Sequence, residues 1–268
     1  MELISQHNHT DMTMHGNAVL EELVEHAAKL GMANLAVTEH YPLTTEMDPR
    51  NYVSMDRARL PEYFQRIKAL RERHPQMELL IGAELDWLGD DEDRHFAPDE
   101  FDGFDIVLGS VHFLDRWPFD DPAQAGRWEE EGHDRIWRRY FEVWCQAAVS
   151  DMPFTVMAHP DLVKKFGHRP SFDPLPLYRE AAEAAREGGR MVEVNTSGAF
   201  YACKEMFPAQ AFLAEFRKAG VPCTIGSDAH DVANVDRKLV DGLRWMHEAG
   251  YREVTVVVPG GDRRTVAL

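Results

Sequence analysis

The segment that decides the fold is residues 2–10, which read ELISQHNHT. The run Glu2–Gln6 predicts a short buried strand, and His7 and His9 follow directly where that strand ends. Residues two apart on extended backbone point to the same side, so both imidazoles can reach one ion. The pairing of a short buried strand with a chemically reactive side chain at its end recurs along the whole chain.

Six further apolar runs predict buried parallel strands. The seven predicted strands are Glu2–Gln6, Asn34–Thr38, Glu78–Ala83, Asp105–Gly109, Phe154–Met157, Met191–Val194 and Cys223–Gly226. An eighth run, Val254–Val258, follows near the end of the chain.

Amphipathic patterns between these runs predict helices. They cover Ala18–Leu30, Pro61–Arg73, Glu129–Val149, Leu175–Glu187, Pro208–Lys218 and Asp236–Glu248. Alternating strands and helices indicate a parallel α/β fold, and seven or eight such units favour a closed barrel. We therefore expect one domain spanning residues 1–268.

Six of the seven predicted strands carry an imidazole or a carboxylate at or just past the C-terminal end. In a parallel barrel these ends share one face, which is where active sites form. With His15, the candidate ligands number nine: His7, His9, His15, His40, Glu84, His112, His159, Asp228 and His230.

Seven imidazoles and two carboxylates are too many ligands for one tetrahedral or octahedral ion. They suffice for two or three divalent ions, and zinc, iron and manganese all accept this mixture of ligands. Such ions create a strongly positive site, for which a phosphate monoester dianion is a suitable partner. A lone histidine at one strand end is more often a hydrogen-bonded loop residue, but that explanation does not account for six strand ends together.

The composition narrows the function further. With 29 basic and 46 acidic residues the formal net charge is −17, which argues against nucleic-acid binding. Cys145, Cys203 and Cys223 form no CxxC pair, which favours a reducing compartment. Neither a leader peptide nor a run of 18 apolar residues is recognisable, so we expect a cytoplasmic protein without membrane partners. The sequence does not determine the oligomeric state.

These motifs resemble the PHP (polymerase and histidinol phosphatase) superfamily. The matching stretches include His7–Thr10, Thr38–His40, Glu84 and Gly226–His230. Longer stretches, Leu108–Leu114 with Trp117–Asp120, His159–Arg169 and Val194–Gly198 with Lys204–Pro208, resemble the PHP-type histidinol-phosphatases. The resemblance implies a distorted, TIM-barrel-like (β/α)7 barrel whose metal site lies at the C-terminal ends of the strands.

The resemblance also implies roles for single residues. One metal would be held by His7, His9, Glu84 and Asp228, a second by Glu84, His112 and His159, and a third by His15, His40 and His230. A bridging hydroxide would attack phosphorus and convert L-histidinol phosphate to L-histidinol and phosphate, a reaction of histidine biosynthesis. Two positions depart from the superfamily pattern, because Ser5 and Glu39 stand where aspartate is common. We expect Glu39 to orient a neighbouring imidazole.

The loop after His159 is the most basic short stretch of an acidic chain. We expect Lys164, Lys165 or Arg169 to clamp a phosphate oxygen, and His168 and Arg169 to be catalytic, with His168 as general acid. The substrate's amine and imidazole require acceptors and an aromatic wall, for which Asp161, Asn195 and Trp117 are the candidates. For each of these three, ordinary packing is an equally good explanation.

Two alternatives remain at this point. Another PHP phosphoesterase, acting on a different small phosphate ester, would use the same metals. An inactive metal-binding module would bind the ions without turnover, although such modules usually lack some ligands and all nine positions here carry competent ones.

Overall fold

The computed structural model describes residues 2–89, 96–97 and 99–268. Seven parallel strands lie side by side in one sheet, in the order β1-β2-β3-β4-β7-β8-β9. They are β1 (Ile4–Ser5), β2 (Asn34–His40), β3 (Glu78–Asp86), β4 (Ile106–Ser110), β7 (Val156–Met157), β8 (Met191–Asn195) and β9 (Cys223–Gly226). All seven strands predicted from the apolar runs are present.

The sheet closes on itself between its first and last strands. The Gln6 amide donates to the Ile225 carbonyl at 2.9 Å, and the Asp228 amide donates to the His7 carbonyl at 2.9 Å. These bonds place the end of β1 beside the end of β9, which makes a nearly closed barrel. The predicted (β/α)7 architecture is therefore confirmed.

The eighth apolar run is not a barrel strand. Strand β10 (Glu253–Val257) pairs antiparallel with β11 (Arg263–Ala267), and Gly260 and Gly261 supply positive φ angles of 96° and 85° at the turn. The side chain of Gln6 bonds both the amide and the carbonyl of Val257, so the hairpin covers the N-terminal end of the barrel.

Helices surround the barrel on the outside. They are α1 (Leu20–Lys29), α2 (Leu60–Arg73), α3 (Gly126–Glu131), α4 (His133–Val149), α5 (Leu175–Glu187), α6 (Gln210–Ala219) and α7 (Leu239–Glu248). The single helix predicted over Glu129–Val149 is wrong. Gly132, with φ 82°, separates α3 from α4 because this left-handed conformation cannot continue a right-handed helix.

A short hairpin, β5 (Phe113–Leu114) and β6 (Trp117–Pro118), follows β4. The main core lies between barrel and helices, where Trp144 of α4 packs against Phe212 and Phe216 of α6. Within the part of the chain that the structure describes, no helix combines the length and apolar character that crossing a membrane requires.

Candidate metal centre

Glu84 at the end of β3 is the centre of the site. Its side chain is 1% exposed, and its two oxygens face different groups of imidazoles. Oε2 lies 3.1–3.3 Å from nitrogens of His7, His9 and His40. Oε1 lies 3.0 Å from His159 Nε2 and 3.5 Å from His112 Nε2. One carboxylate therefore touches imidazoles delivered by four other strand ends.

A second carboxylate, Asp228, completes the group on the side of β9. Its Oδ1 atom lies 3.4 Å from His9 Nε2 and 3.6 Å from His7 Nε2. The His230 ring stacks on His9 at 4.3 Å, and its Nε2 atom lies 3.2 Å from His15 Nε2. The structure thus brings together all nine residues predicted as ligands. Their coordination of metal stays a prediction.

The spacing of these atoms fits bound metal. Ligand atoms held tetrahedrally at roughly 2.0–2.1 Å from one zinc ion stand roughly 3.4 Å apart. The donor atoms around Glu84 and Asp228 are separated by 3.0–3.6 Å. Glu84 Oε2, His9 Nδ1 and His40 Nδ1 are also buried without a hydrogen-bond partner. Buried polar atoms normally have a partner, so these three atoms fit a role as metal ligands.

Four overlapping triads have donor atoms within 4.8 Å of one another. They are His7–His9–Asp228, His7–Glu84–His159, His40–Glu84–His112 and His9–His40–His230. The first triad lies wholly within one of the sets that the family resemblance implies. Each of the other three shares two residues with one of those sets and takes its third residue from another. The geometry therefore fits two or three closely spaced ions that share ligands.

The same crowding shifts the protonation of these side chains when no metal is bound. Burial and the nearby His9 lower the pKa of His230 to about 3. Burial also lowers the pKa of His40 well below its usual value, although Glu84 opposes the shift. For His9 burial is outweighed by the adjacent carboxylates of Asp228 and Glu84, which raise its pKa to about 9. For His112 burial is outweighed by Asp86 and Glu84, which raise its pKa to about 10. Metal binding at His9 and His112 must therefore release the additional proton that each of these two rings holds.

Neighbouring polar side chains form hydrogen-bond contacts that orient several of the predicted metal ligands. His112 Nδ1 lies 2.7 Å from Asp86 Oδ1, and the Ser110 hydroxyl donates to Glu84 Oε1 at 2.6 Å. His7 Nδ1 lies 3.0 Å from Glu193 Oε1. Sequence reasoning missed Glu193, although a carboxylate in the otherwise apolar strand β8 was a usable signal, since buried charges need partners.

Two of the predicted ligands adopt an unusual backbone conformation. His159 has φ 25° and Asp228 has φ 52°. Positive φ is uncommon outside glycine and is costly unless surrounding contacts enforce it. Strain of this kind clusters at functional sites, and here it turns both side chains toward Glu84 and His7.

The two departures from the superfamily pattern are accommodated locally. The Ser5 hydroxyl donates to Asn8 Oδ1 at 3.1 Å. Glu39 does not orient an imidazole as expected. Its Oε1 atom accepts hydrogen bonds from the amide and hydroxyl of Thr10, so it holds the backbone beyond His9 instead.

Lys164 and Asp161 are bonded to each other and to other protein groups, which does not support the predicted role in binding substrate. Both side chains are fully buried, and the Lys164 ammonium lies 2.8 Å from Asp161 Oδ2. The ammonium also bonds the Met206 carbonyl at 2.8 Å and lies 3.1 Å from Glu205. The 3₁₀ helix Leu162–Lys164 turns this lysine into the protein, where it joins a buried ion network.

His168 and Arg169 are also placed differently from the prediction. The His168 ring stacks on Trp128 at 4.6 Å and contacts His133 at 4.2 Å. Burial and the neighbouring His133 lower the pKa of His168. Arg169 pairs with Glu205 at 3.0 Å. None of these contacts is with a predicted metal ligand, so the structure does not support catalytic roles for the two residues.

Asn195 and Trp117 are buried rather than open to a ligand. Asn195 donates from Nδ2 to Glu193 at 2.9 Å and to Asp228 at 3.2 Å, while its Oδ1 accepts from Ser197. Trp117 is 4% exposed and lines a separate cavity of about 610 Å³ together with Arg127. Asn195 therefore supports Asp228, and Trp117 forms no wall of the metal centre.

Lys165 is a basic residue of this loop that lies near the predicted ligand Asp228, close enough for that carboxylate to act on its charge. Its ammonium lies 2.8 Å from Asp120 Oδ2 and 4.9 Å from the centre of the Tyr201 ring. Burial is outweighed by Asp120, Tyr201 and Asp228, which raise the pKa of Lys165. Burial of Asp120 is likewise outweighed by Lys165 and His112, which lower its pKa. Sequence reasoning had not singled out Asp120 or Tyr201.

Comparison with known proteins agrees with this architecture. A probable histidinol-phosphatase of Deinococcus radiodurans is 31% identical over 256 residues, which cover 94% of this chain and 96% of that protein. A probable phosphatase of Thermoanaerobacter is 23% identical and covers 95% of this chain and 89% of its own.

Among solved structures, the histidinol phosphate phosphatase of Lactococcus lactis, complexed with zinc, L-histidinol and phosphate, superimposes with a TM-score of 0.78. It is 20% identical, and the match covers 98% of this chain and 99% of that one. At 20% sequence identity, this structural similarity shows a shared fold and no more. The family model of the PHP domain matches residues 5–197. Together with the similarity to the Deinococcus relative, this match shows that the chain belongs to the PHP domain family.

Proposed function

We propose that this protein is a metal-dependent phosphomonoesterase that hydrolyses L-histidinol phosphate to L-histidinol and inorganic phosphate. The reaction class rests on one observation, which is that seven imidazoles converge on the two carboxylates Glu84 and Asp228. The substrate is supported by the Deinococcus relative and by the ligands of the Lactococcus enzyme. Such a reaction belongs to histidine biosynthesis, and we place it in the cytoplasm.

The two carboxylates, Glu84 and Asp228, have distinct roles in the proposed mechanism. Glu84 would hold ions together with two groups of imidazoles, because Oε2 faces His7, His9 and His40 whereas Oε1 faces His112 and His159. Divalent ions bound there supply positive charge for the phosphoryl oxygens and lower the pKa of water to near 7. Asp228, held by Asn195, keeps a second carboxylate on the side of His9 and His230.

Lys165 provides the protein's own cation for the substrate. Asp120 accepts two of its N–H groups, through Oδ2 at 2.8 Å and through the backbone carbonyl at 3.1 Å, which leaves the third to donate to a phosphate oxygen. Tyr201 is 38% exposed and stands beside Lys165, so its ring can form one wall for the imidazole of histidinol. Of the three basic residues predicted to clamp phosphate, this proposal keeps Lys165, and Tyr201 takes the place that was predicted for Trp117.

A second candidate is hydrolysis of a different small phosphate ester. The names of the Thermoanaerobacter relatives, probable phosphatases, leave the ester open. The metal centre and Lys165 would serve that reaction equally, because both act on the phosphoryl group shared by all such esters.

The test is phosphate release from L-histidinol phosphate, p-nitrophenyl phosphate and a nucleoside monophosphate, with Zn²⁺-loaded and chelated protein. We expect a chelator-sensitive preference for histidinol phosphate. Equal rates on all three would support the second candidate, and no turnover with bound metal would indicate an inactive module.

The matched variants for this test lie on one strand. Glu84→Gln should lower kcat/KM by more than about 100-fold, since it removes a shared ligand. Glu78→Gln changes the same residue type at the other end of β3, where Glu78 pairs with Arg264. It should keep wild-type activity. Wild-type activity in Glu84→Gln would contradict the proposed mechanism.

A further inference from the structure

The buried carboxylate of Glu193 is shared by residues from three strand ends. Its Oε1 atom lies 3.0 Å from His7 Nδ1, accepts the backbone N–H of His159 at 2.8 Å and accepts from Asn195 Nδ2 at 2.9 Å. Asn195 in turn donates to Asp228 at 3.2 Å. Glu193 therefore reaches three predicted metal ligands, two directly and one through Asn195.

The barrel interior is built to accept this side chain. Alternation along β8 places Met191, Glu193 and Asn195 on the inner face, and Val192 and Val194 in the core beneath the helices. Gly226 on the neighbouring strand β9 leaves the necessary space. A Cβ atom there would stand 2.5 Å from His7 Cβ and 2.9 Å from Glu193 Oε2.

A carboxylate behind His7 has a definite chemical consequence. A carboxylate that accepts the Nδ1 proton of the imidazole would leave Nε2 free to ligate an ion, and the donor atoms of His9, Glu84 and Asp228 lie 3.0–3.6 Å from Nε2. The bond to the His159 amide also helps to hold the backbone at φ 25°, the conformation that presents His159 to Glu84.

We propose that Glu193 is a positioning residue for the metal centre. Glu193 holds ligands that belong to different triads at the spacing that lets neighbouring ions bind together. His7 belongs to the triads with His9 and Asp228 and with Glu84 and His159. This inference rests on the metal-dependent function proposed above. It concerns metal binding, however, and is independent of which ester is hydrolysed.

The test is the Zn²⁺ content and affinity of Glu193→Gln, measured by elemental analysis and by competition with a chromogenic chelator. Gln keeps the size and one acceptor oxygen but removes the charge behind His7. We expect Zn²⁺ affinity to fall about 10- to 100-fold and the protein to retain fewer ions per chain. Unchanged stoichiometry and affinity would overturn the proposal.

Asp161→Asn is the matched control. It neutralises another fully buried carboxylate after a neighbouring strand, but its contacts are Lys164 and the Ala209 amide. It should lower the melting temperature while leaving Zn²⁺ affinity unchanged. If Glu193→Gln behaves like this control, Glu193 is merely structural.

Should Glu193→Gln fail to fold, Glu193→Asp retains the charge and withdraws it by one methylene from His7. Weakened Zn²⁺ binding by this folded variant would support the proposal, and wild-type binding would refute it. If only the proposed function is wrong, the wild-type protein will bind a normal amount of metal but will not hydrolyse histidinol phosphate.

Discussion

Lys164 and Lys165 show how differently two adjacent residues can be used. The first is sealed in an ion network with Asp161 and Glu205, whereas the second pairs with Asp120 beside the metal centre. Nothing in the sequence KK distinguishes them, because both belong to the same basic loop. Their substitution should therefore produce different defects.

For Lys165→Met we expect kcat/KM for histidinol phosphate to fall about 10- to 100-fold, because a charged hydrogen bond to phosphate is lost. Steady-state kinetics with Zn²⁺-loaded protein measure this. The double variant Lys165→Met with Asp120→Asn removes both charges and should show the same loss, which excludes an unpaired Asp120 as the cause. Wild-type kinetics in both variants would contradict a role in binding phosphate.

For Lys164→Met we expect the free energy of unfolding to fall by about 3–5 kcal/mol, because Asp161 loses its buried counter-ion. Urea unfolding followed by circular dichroism measures the loss. Zn²⁺ content should remain that of the wild type, since Lys164 contacts no predicted ligand. An unchanged unfolding midpoint would show that the network adds nothing to stability.

At the scale of elements, the C-terminal hairpin closes the end of the barrel opposite the metal centre. Gln6 connects the two, since its amide donates to the Val257 carbonyl at 2.8 Å and accepts from the Val257 amide at 3.1 Å. Asn34 donates to the same carbonyl at 2.8 Å. Val257 itself lies in the inner cluster with Leu80 and Ile106.

Gln6→Leu should lower the free energy of unfolding by about 2–4 kcal/mol, because buried groups of Val257 and Thr224 lose their partner. Thermal and urea unfolding measure this change. Gln146→Leu is the matched control on the exposed face of α4, and it should shift stability by no more than about 0.5 kcal/mol. Equal stability of the two variants would mean that the hairpin docks without Gln6.

At the scale of the whole molecule, the metal centre joins the ends of six of the seven barrel strands. Ions that bind only the folded chain stabilise it by roughly 2.7 kcal/mol for each site at a hundredfold excess over Kd. Chelation should therefore lower the melting temperature by at least roughly 5 °C, and Zn²⁺ should restore it. Scanning calorimetry of chelated and reloaded protein measures the shift. An unchanged melting temperature would show that the barrel is complete without metal.

The sequence by itself determined the barrel and the set of candidate ligands. Parallel strands place their C-terminal ends on one face, so His7, Glu84, His159 and Asp228 had to meet once their strands were recognised. This inference needs only local periodicity and the direction of the chain. The helix break at Gly132 was the kind of detail that periodicity alone missed, because one positive φ angle overrides an otherwise continuous helical pattern.

Only the tertiary structure decided which polar side chains are free to act. The buried Lys164 pairs with Glu205, which is distant in sequence. The ring of His168 stacks on Trp128, which is also distant in sequence. Glu193 acquires its role from His7, 186 residues away. Burial and partnership are properties of the packed chain rather than of a local segment. In the proposed site, the loop that is richest in basic residues therefore supplies Lys165 alone.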